Sequence, residues 1–188
     1  CTIGLEKLSV LRYGENPHQQ AALYSLGTNS GGVARAHQLH GKELSYNNLL
    51  DADGAWTTVA DFTEPAVAVI KHTNPCGLAI HDDIAEAYRR AYAGDPVSAY
   101  GGIVAFNRSV TAEAAQAMGS VFYEVVIAPG YEPDALSVLQ KKRNLRILAV
   151  DPVQGAHGNG NVKVTQKAAL EVRQISGGLL LQTPDELD

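Results

Sequence analysis

Four short apolar runs constrain this chain's fold more than any other feature. They are Ala66-Val67-Ala68-Val69-Ile70, Gly102-Ile103-Val104-Ala105-Phe106, residues 121–128 and residues 145–150. Short runs rich in Val and Ile read as buried strands. Helix signals lie between them. Asp82-Asp83 opens a helix running to about Ala93, and Gly94-Asp95-Pro96 ends it. Thr111 caps a short Ala-rich helix that stops near Gly119. Pro133 begins a third helix that ends in Lys141-Lys142-Arg143, where the helix dipole favours cations. Strands separated by helices predict an α/β fold, with a mainly parallel or mixed sheet and helices on both faces. In such sheets ligands bind at the carboxyl ends of strands.

This pattern divides the chain. Residues 1–56 form an irregular opening segment scattered with Gly, Asn and Pro, and residues 57–150 form the α/β core. Residues 151–161, DPVQGAHGNGN, read as a flexible loop. Residues 162–188 read as the start of a connection to a part that should follow. The apolar stretch 174–182 is followed by only a few residues, and the first residue is not Met, so the chain reads as a piece of a larger protein.

Composition narrows the function classes. At 45% hydrophobic and 19% charged residues, the chain can bury a core. No apolar run approaches the roughly 20 residues that span a bilayer. The opening CTIGLEKLSVLRYGENP lacks the pattern of a signal peptide. A net charge of −5 argues against a broad nucleic-acid surface, although a few focused cations would suffice for a small anion. Two cysteines, Cys1 and Cys76, do not make a disulfide scaffold, and a cytoplasmic setting is the simplest expectation.

Four clusters carry candidate chemistry. Lys71-His72-Thr73-Asn74-Pro75-Cys76-Gly77 directly follows a strand signal, so Lys71 and His72 should sit at its carboxyl end. A Lys beside a His offers a cation for developing negative charge and a base titrating near neutrality. The pair also reads as an ordinary strand-end turn, with Pro75 rigidifying it. Cys76 could serve as a nucleophile with His72, but residues four apart meet reliably only on a helix, and Pro75 argues against one. A zinc-deaminase turn would need a second cysteine three residues on, where Ala79 stands, so no metal is expected. The second cluster, residues 11–19 (LRYGENPHQ), holds Arg12, a bidentate partner for phosphate or carboxylate, and Tyr13, which could stack on a heterocycle. It reads equally as a solvated loop. In the third, residues 42–53 (KELSYNNLLDAD), Asn47, Asn48 and Asp51 could hold a carboxamide or cap a helix starting there. In the fourth, Gly101-Gly102 before a strand permits close backbone contact with a ligand, or simply makes a tight turn.

Together the motifs RYGENPHQ, SYNNLLDADGAW, KHTNPCG, DPVSAYGGIVAFNR, EVVIAPGYEPDAL and ISGGLLLQ stand in the order found in the bifunctional AICAR transformylase/inosine monophosphate cyclohydrolase family, where AICAR is 5-aminoimidazole-4-carboxamide ribonucleotide. The resemblance covers almost the whole chain. It implies the front half of the transformylase domain, with a cytidine-deaminase-like fold lacking catalytic zinc. It implies formyl transfer from 10-formyltetrahydrofolate to the 5-amino group of AICAR. Lys71 and His72 match the family's catalytic pair, Arg12 and Tyr13 match residues that hold the nucleotide, Gly101 matches a nucleotide-contacting glycine, and Glu124 matches an acidic contact that is Asp in some relatives. Asn47 lies in a motif of the same site. The family forms homodimers with sites across the interface. The cyclohydrolase domain and the second transformylase half are not in this sequence, so the resemblance implies that ring closure is absent and leaves open a nucleotide-binding piece without activity of its own.

Overall fold

The computed structural model describes residues 4–25, 32–150, 171–175 and 178–182. All four predicted strands form, as β4 (Ala66–Lys71), β6 (Gly102–Phe106), β7 (Tyr123–Ala128) and β8 (Arg146–Ala149). They are the four central strands of a six-stranded sheet. Its edges are β3 (His37–His40) and β5 (Asn74–Ile80), giving the order β3-β8-β7-β6-β4-β5. Edge β3 carries no apolar run, and in β5 the run Cys76-Gly77-Leu78-Ala79-Ile80 has no Val and follows Pro75 directly. HQLH is mostly exposed, and NPCGLAI mixes exposed and half-buried residues with none fully buried. Pro75 lies within β5 rather than in a turn. An edge strand tolerates a residue without an N–H, and the ladder shifts register at this point.

The sheet is mixed, not mainly parallel. Only β6, β7 and β8 run parallel, whereas β4 is antiparallel to both neighbours and β3 is antiparallel to β8. Burial on both faces gave β4 the same continuous apolar signature as a parallel strand.

The strand period sorts the core into two layers. Val67, Val69, Val104, Phe106, Val126 and Ile147 face one way, into a cluster with α2 (Ile84–Gly94), α4 (Ala112–Ala117) and α5 (Pro133–Leu139). Ala66, Ala68, Ile70, Ile103, Ala105, Val125, Ile127 and Leu148 face the other way, into a cluster with α1 (Tyr46–Ala60). Helices therefore cover both faces. The buried Tyr88 and Tyr123 hydroxyls satisfy each other at 3.0 Å, and burial pushes both phenols upward, so they stay protonated. Asn107 ties the start of β4 to the end of β6. Its Oδ1 accepts from the Ala66 amide at 2.8 Å, and its Nδ2 donates to the Phe62 and Glu64 carbonyls.

The opening segment is not irregular. It holds an antiparallel hairpin of β1 (Glu6–Leu11) and β2 (Ala21–Ser25), a 3₁₀ turn at Val33–Arg35, β3 and most of α1. The hairpin is largely exposed, so its strands show no clean alternation. Helix α5 ends at Leu139, two residues before the expected basic run. Lys142 instead reaches the Met118 and Val121 carbonyls at 2.8 and 2.6 Å, and partial burial lowers its pKa. Within 162–188, β9 (Glu171–Ile175) and β10 (Gly178–Gln182) form a second antiparallel hairpin. The expected loop at 151–161 lies outside the described residues. Among the described residues no helix is long and apolar enough to cross a membrane.

Gly77 marks where β5 meets α2. A Cβ there would stand 1.8 Å from the Ala91 carbonyl oxygen, a backbone atom that cannot turn aside. Gly77→Ala is expected to destabilise the fold by about 2–4 kcal/mol in urea unfolding, through forced separation of β5 and α2.

Candidate functional site

A cleft of about 590 Å³ opens along one end of the sheet, within the range usual for small-molecule sites. It lies at the carboxyl end of β4 but at the amino ends of β6, β7 and β8. This corrects the expectation of a site at the carboxyl ends of parallel strands. Because β4 is antiparallel to β6, Lys71 emerges where Gly102 enters. The parallel strands then bring the start of β7 and of β8 to the same end. The cleft is lined by Arg12, Tyr13, residues 42–45, Asn47, Asn48, Asp51, His72, Gly101, Glu124 and Arg146.

Lys71 and His72 sit as expected, Lys71 as the last residue of β4 and His72 as the first of a two-residue turn into β5. Lys71 pairs with Asn74 across this hairpin. The turn carries positive φ at both central residues, 52° at His72 and 62° at Thr73. Hairpins of that kind normally use Asn-Gly or Gly-Gly. A β-branched Thr there is a strained residue. The Lys71 ammonium does not line the cleft itself. It packs behind Gly101, donating to the Tyr100 carbonyl.

Gly101 has φ of +71°, and its amide donates to the Phe122 carbonyl at 2.7 Å. A Cβ there would lie 3.3 Å from the Lys71 ammonium. A side chain at this position would therefore strain the backbone and crowd Lys71. The short helix α3 (Pro96–Ala99) fixes the approach. The Asp95 carboxylate accepts from the Val97 and Ser98 amides and the Ser98 hydroxyl, bonds that hold its pKa below the usual carboxylate range.

Arg12 and Tyr13 begin the loop between β1 and β2. The Arg12 guanidinium lies over the Tyr13 ring, 4.7 Å from its centroid, and donates to the Tyr13 hydroxyl at 3.0 Å. That loop is ordered by Gly14 and Gln19 amide bonds, and Asn47 ties it to α1 by donating to the Glu15 carbonyl at 3.3 Å. Of the three polar residues expected to cap α1 or hold a ligand, only Asn48 caps. It completes a capping box with Ser45. Asp51, one turn further along, accepts from the Thr73 amide at 2.8 Å.

Glu124 Oε2 accepts from Arg146 Nη1 at 2.9 Å and from Asn48 Nδ2 at 3.4 Å. Arg146 also donates through Nε to the Glu43 carbonyl, and its side chain is only 12% exposed. Sequence reasoning missed Arg146. Its one signal was a charged residue inside an apolar strand run. Lys42 was passed over as well, within a cluster read for its amides.

Cys76 is not part of this site. Its thiol donates to the Val69 carbonyl at 3.3 Å and packs against the α2 side of the sheet, where burial pushes its pKa up. A raised thiol pKa suits a structural residue, not a nucleophile. Among the described residues no group of three or more His, Cys, Asp or Glu is arranged to hold a metal.

The cleft thus gathers residues from six separate segments, five within motifs or clusters that the sequence singled out and the sixth, Arg146, on a strand predicted from its apolar run. A family model described as AICARFT/IMPCHase bienzyme matches the chain along residues 1–188. The chain belongs to the AICARFT/IMPCHase bienzyme family.

Proposed function

We propose that the cleft holds the AICAR nucleotide and that Lys71 and His72 carry formyl transfer to its 5-amino group from 10-formyltetrahydrofolate. Family membership already gives the chain a role in purine biosynthesis, within an enzyme of the AICAR transformylase/IMP cyclohydrolase kind. The observation that carries the finer reading is convergence. Arg12, Tyr13, Asn47, His72, Gly101 and Glu124 line one cleft, and Lys71 stands directly behind Gly101.

The charges suit a nucleotide. Arg146 is compensated by Glu124. Arg12 and Lys42 make no ion pair among the described residues, so they are the cations open to a phosphate. Tyr13, held under the Arg12 guanidinium, offers a ring face to the imidazole. Glu124 spends its Oε2 on Arg146 and Asn48, which leaves Oε1 to accept from an amine or carboxamide N–H.

The 5-amino group is a poor nucleophile, because the ring and carboxamide withdraw its electrons. His72 removes its proton as it attacks the formyl carbon, a contribution typically worth about 10²–10⁴-fold. Lys71 stabilises the oxyanion that forms, or protonates the departing folate nitrogen. Its ammonium donates to the Tyr100 carbonyl beside Gly101. Fixing both reactants contributes through proximity as well. The same reading carries the family's homodimer and cytoplasmic setting.

Calorimetric titration of the full chain with AICAR, with adenosine monophosphate and cytidine as controls, is expected to show selective AICAR binding. Binding to none of the three would overturn the reading of the cleft. Arg12→Ala is expected to weaken AICAR binding by about 10- to 100-fold without changing thermal stability by more than a degree or two. His72→Ala is expected to keep AICAR affinity within about threefold while lowering turnover, in a transferase assay of the enzyme, by at least about 10²-fold. Near-normal turnover by that variant would remove His72 as the base.

A further inference from the structure

We propose that Asp51 is a positioning residue for His72, acting by holding the His72–Thr73 turn in its left-handed conformation. The inference rests on the reading of His72 as the working base of the cleft, and it adds a residue that acts through the turn.

The turn stores strain. His72 and Thr73 both have positive φ, and neither is glycine. Residues held this way persist only where the surroundings over-determine them. The strand ladder fixes the ends, since Lys71 pairs with Asn74, but it leaves the two central residues to other contacts. Local bonds tie the His72 carbonyl, which accepts from the Thr73 hydroxyl at 2.7 Å and from Asn74 Nδ2 at 2.8 Å. The Thr73 amide has a partner from outside the hairpin, Asp51 Oδ1 at 2.8 Å. An amide bonded to a carboxylate is a charge-assisted contact, about twice as strong as a neutral one.

The anchor is itself rigid. Asp51 sits on α1 beside Ala52, with Ala55 and Trp56 buried one turn further on, and the helix start is closed by the Ser45–Asn48 capping box. Helix α1 is packed on the face of β4 through Ala68 and Ile70. Asp51 therefore fixes the turn to the same layer that fixes the strand carrying Lys71. Without its carboxylate, Thr73 loses its hydrogen bond from outside the hairpin and keeps only the packing of α1 at Gly54, so the turn can relax toward negative φ and carry the imidazole out of the cleft.

The test uses the full chain and two readouts that need no turnover, the exchange rate of the Thr73 amide and the ring resonances of His72. In Asp51→Ala, Thr73 exchange is expected to rise by at least about tenfold, and the His72 signals are expected to shift, while α1 amides keep their protection. Glycine adopts positive φ freely. Asp51→Ala/Thr73→Gly is therefore expected to return the His72 signals toward those of the unaltered chain, a rescue that a general effect on α1 would not give. Unchanged Thr73 exchange in Asp51→Ala, or a double variant no closer than the single one, overturns the proposal. Should Asp51→Ala not fold, the near-isosteric Asp51→Asn keeps the acceptor without the charge, and a few-fold faster Thr73 exchange is expected. No change there overturns it too. Lack of transferase activity in the enzyme would sink the proposed function alone and leave these two readouts to decide on Asp51.

Discussion

The antiparallel setting of β4 against β6 is the constraint on which the site depends. A parallel β4 would have sent Lys71 and His72 to the opposite end of the sheet from Gly101, Glu124 and Arg146. Running antiparallel, β4 delivers its last residue beside the first residue of β6, and the parallel run of β6, β7 and β8 lines up their amino ends next to it. The start of α1 and the loop after β1 close the same end, joined by the bond from Asn47 to the Glu15 carbonyl.

On that frame the cleft is built by pairing charges selectively. The Arg146 guanidinium, largely withdrawn from solvent, is matched to Glu124 and to the Glu43 carbonyl, so it organises the floor without offering a free cation. Arg12 lies on Tyr13 with no carboxylate partner among the described residues. A chain with net charge −5 can in this way still present focused positive charge to an anionic ligand. Strain is concentrated in the His72–Thr73 turn, while the neighbouring α1 is capped and packed along its length.

The central strands were legible because burial on both faces leaves a continuous Val- and Ile-rich run, whichever way the strand points. The same fact hid direction, so β4 read as one more parallel strand and the cleft was expected at the wrong end of β6, β7 and β8. Edge strand β3 was illegible because a half-exposed strand needs no apolar run, and β5 because its Cys-Gly-Leu-Ala-Ile follows Pro75 and was read with the turn. Pro75 argued for a turn that the structure puts two residues earlier, at His72 and Thr73. The motif clusters were legible as polar islands. What each side chain does within them was not, because Asn47, Asn48 and Asp51 differ only in which neighbour the third dimension brings within reach. Arg146 escaped notice because its partners, Glu43 and Glu124, are 103 and 22 residues away.

We propose that one end of this mixed sheet forms a nucleotide cleft. An amide-resolved NMR titration of the full chain with AICAR tests it most directly. Saturable shifts are expected at residues 12–13, 47–51, 71–73, 101, 124 and 146, with the α2 side of the sheet unmoved. Shifts centred on the α2 side or on the β5 edge, with those residues silent, would contradict it.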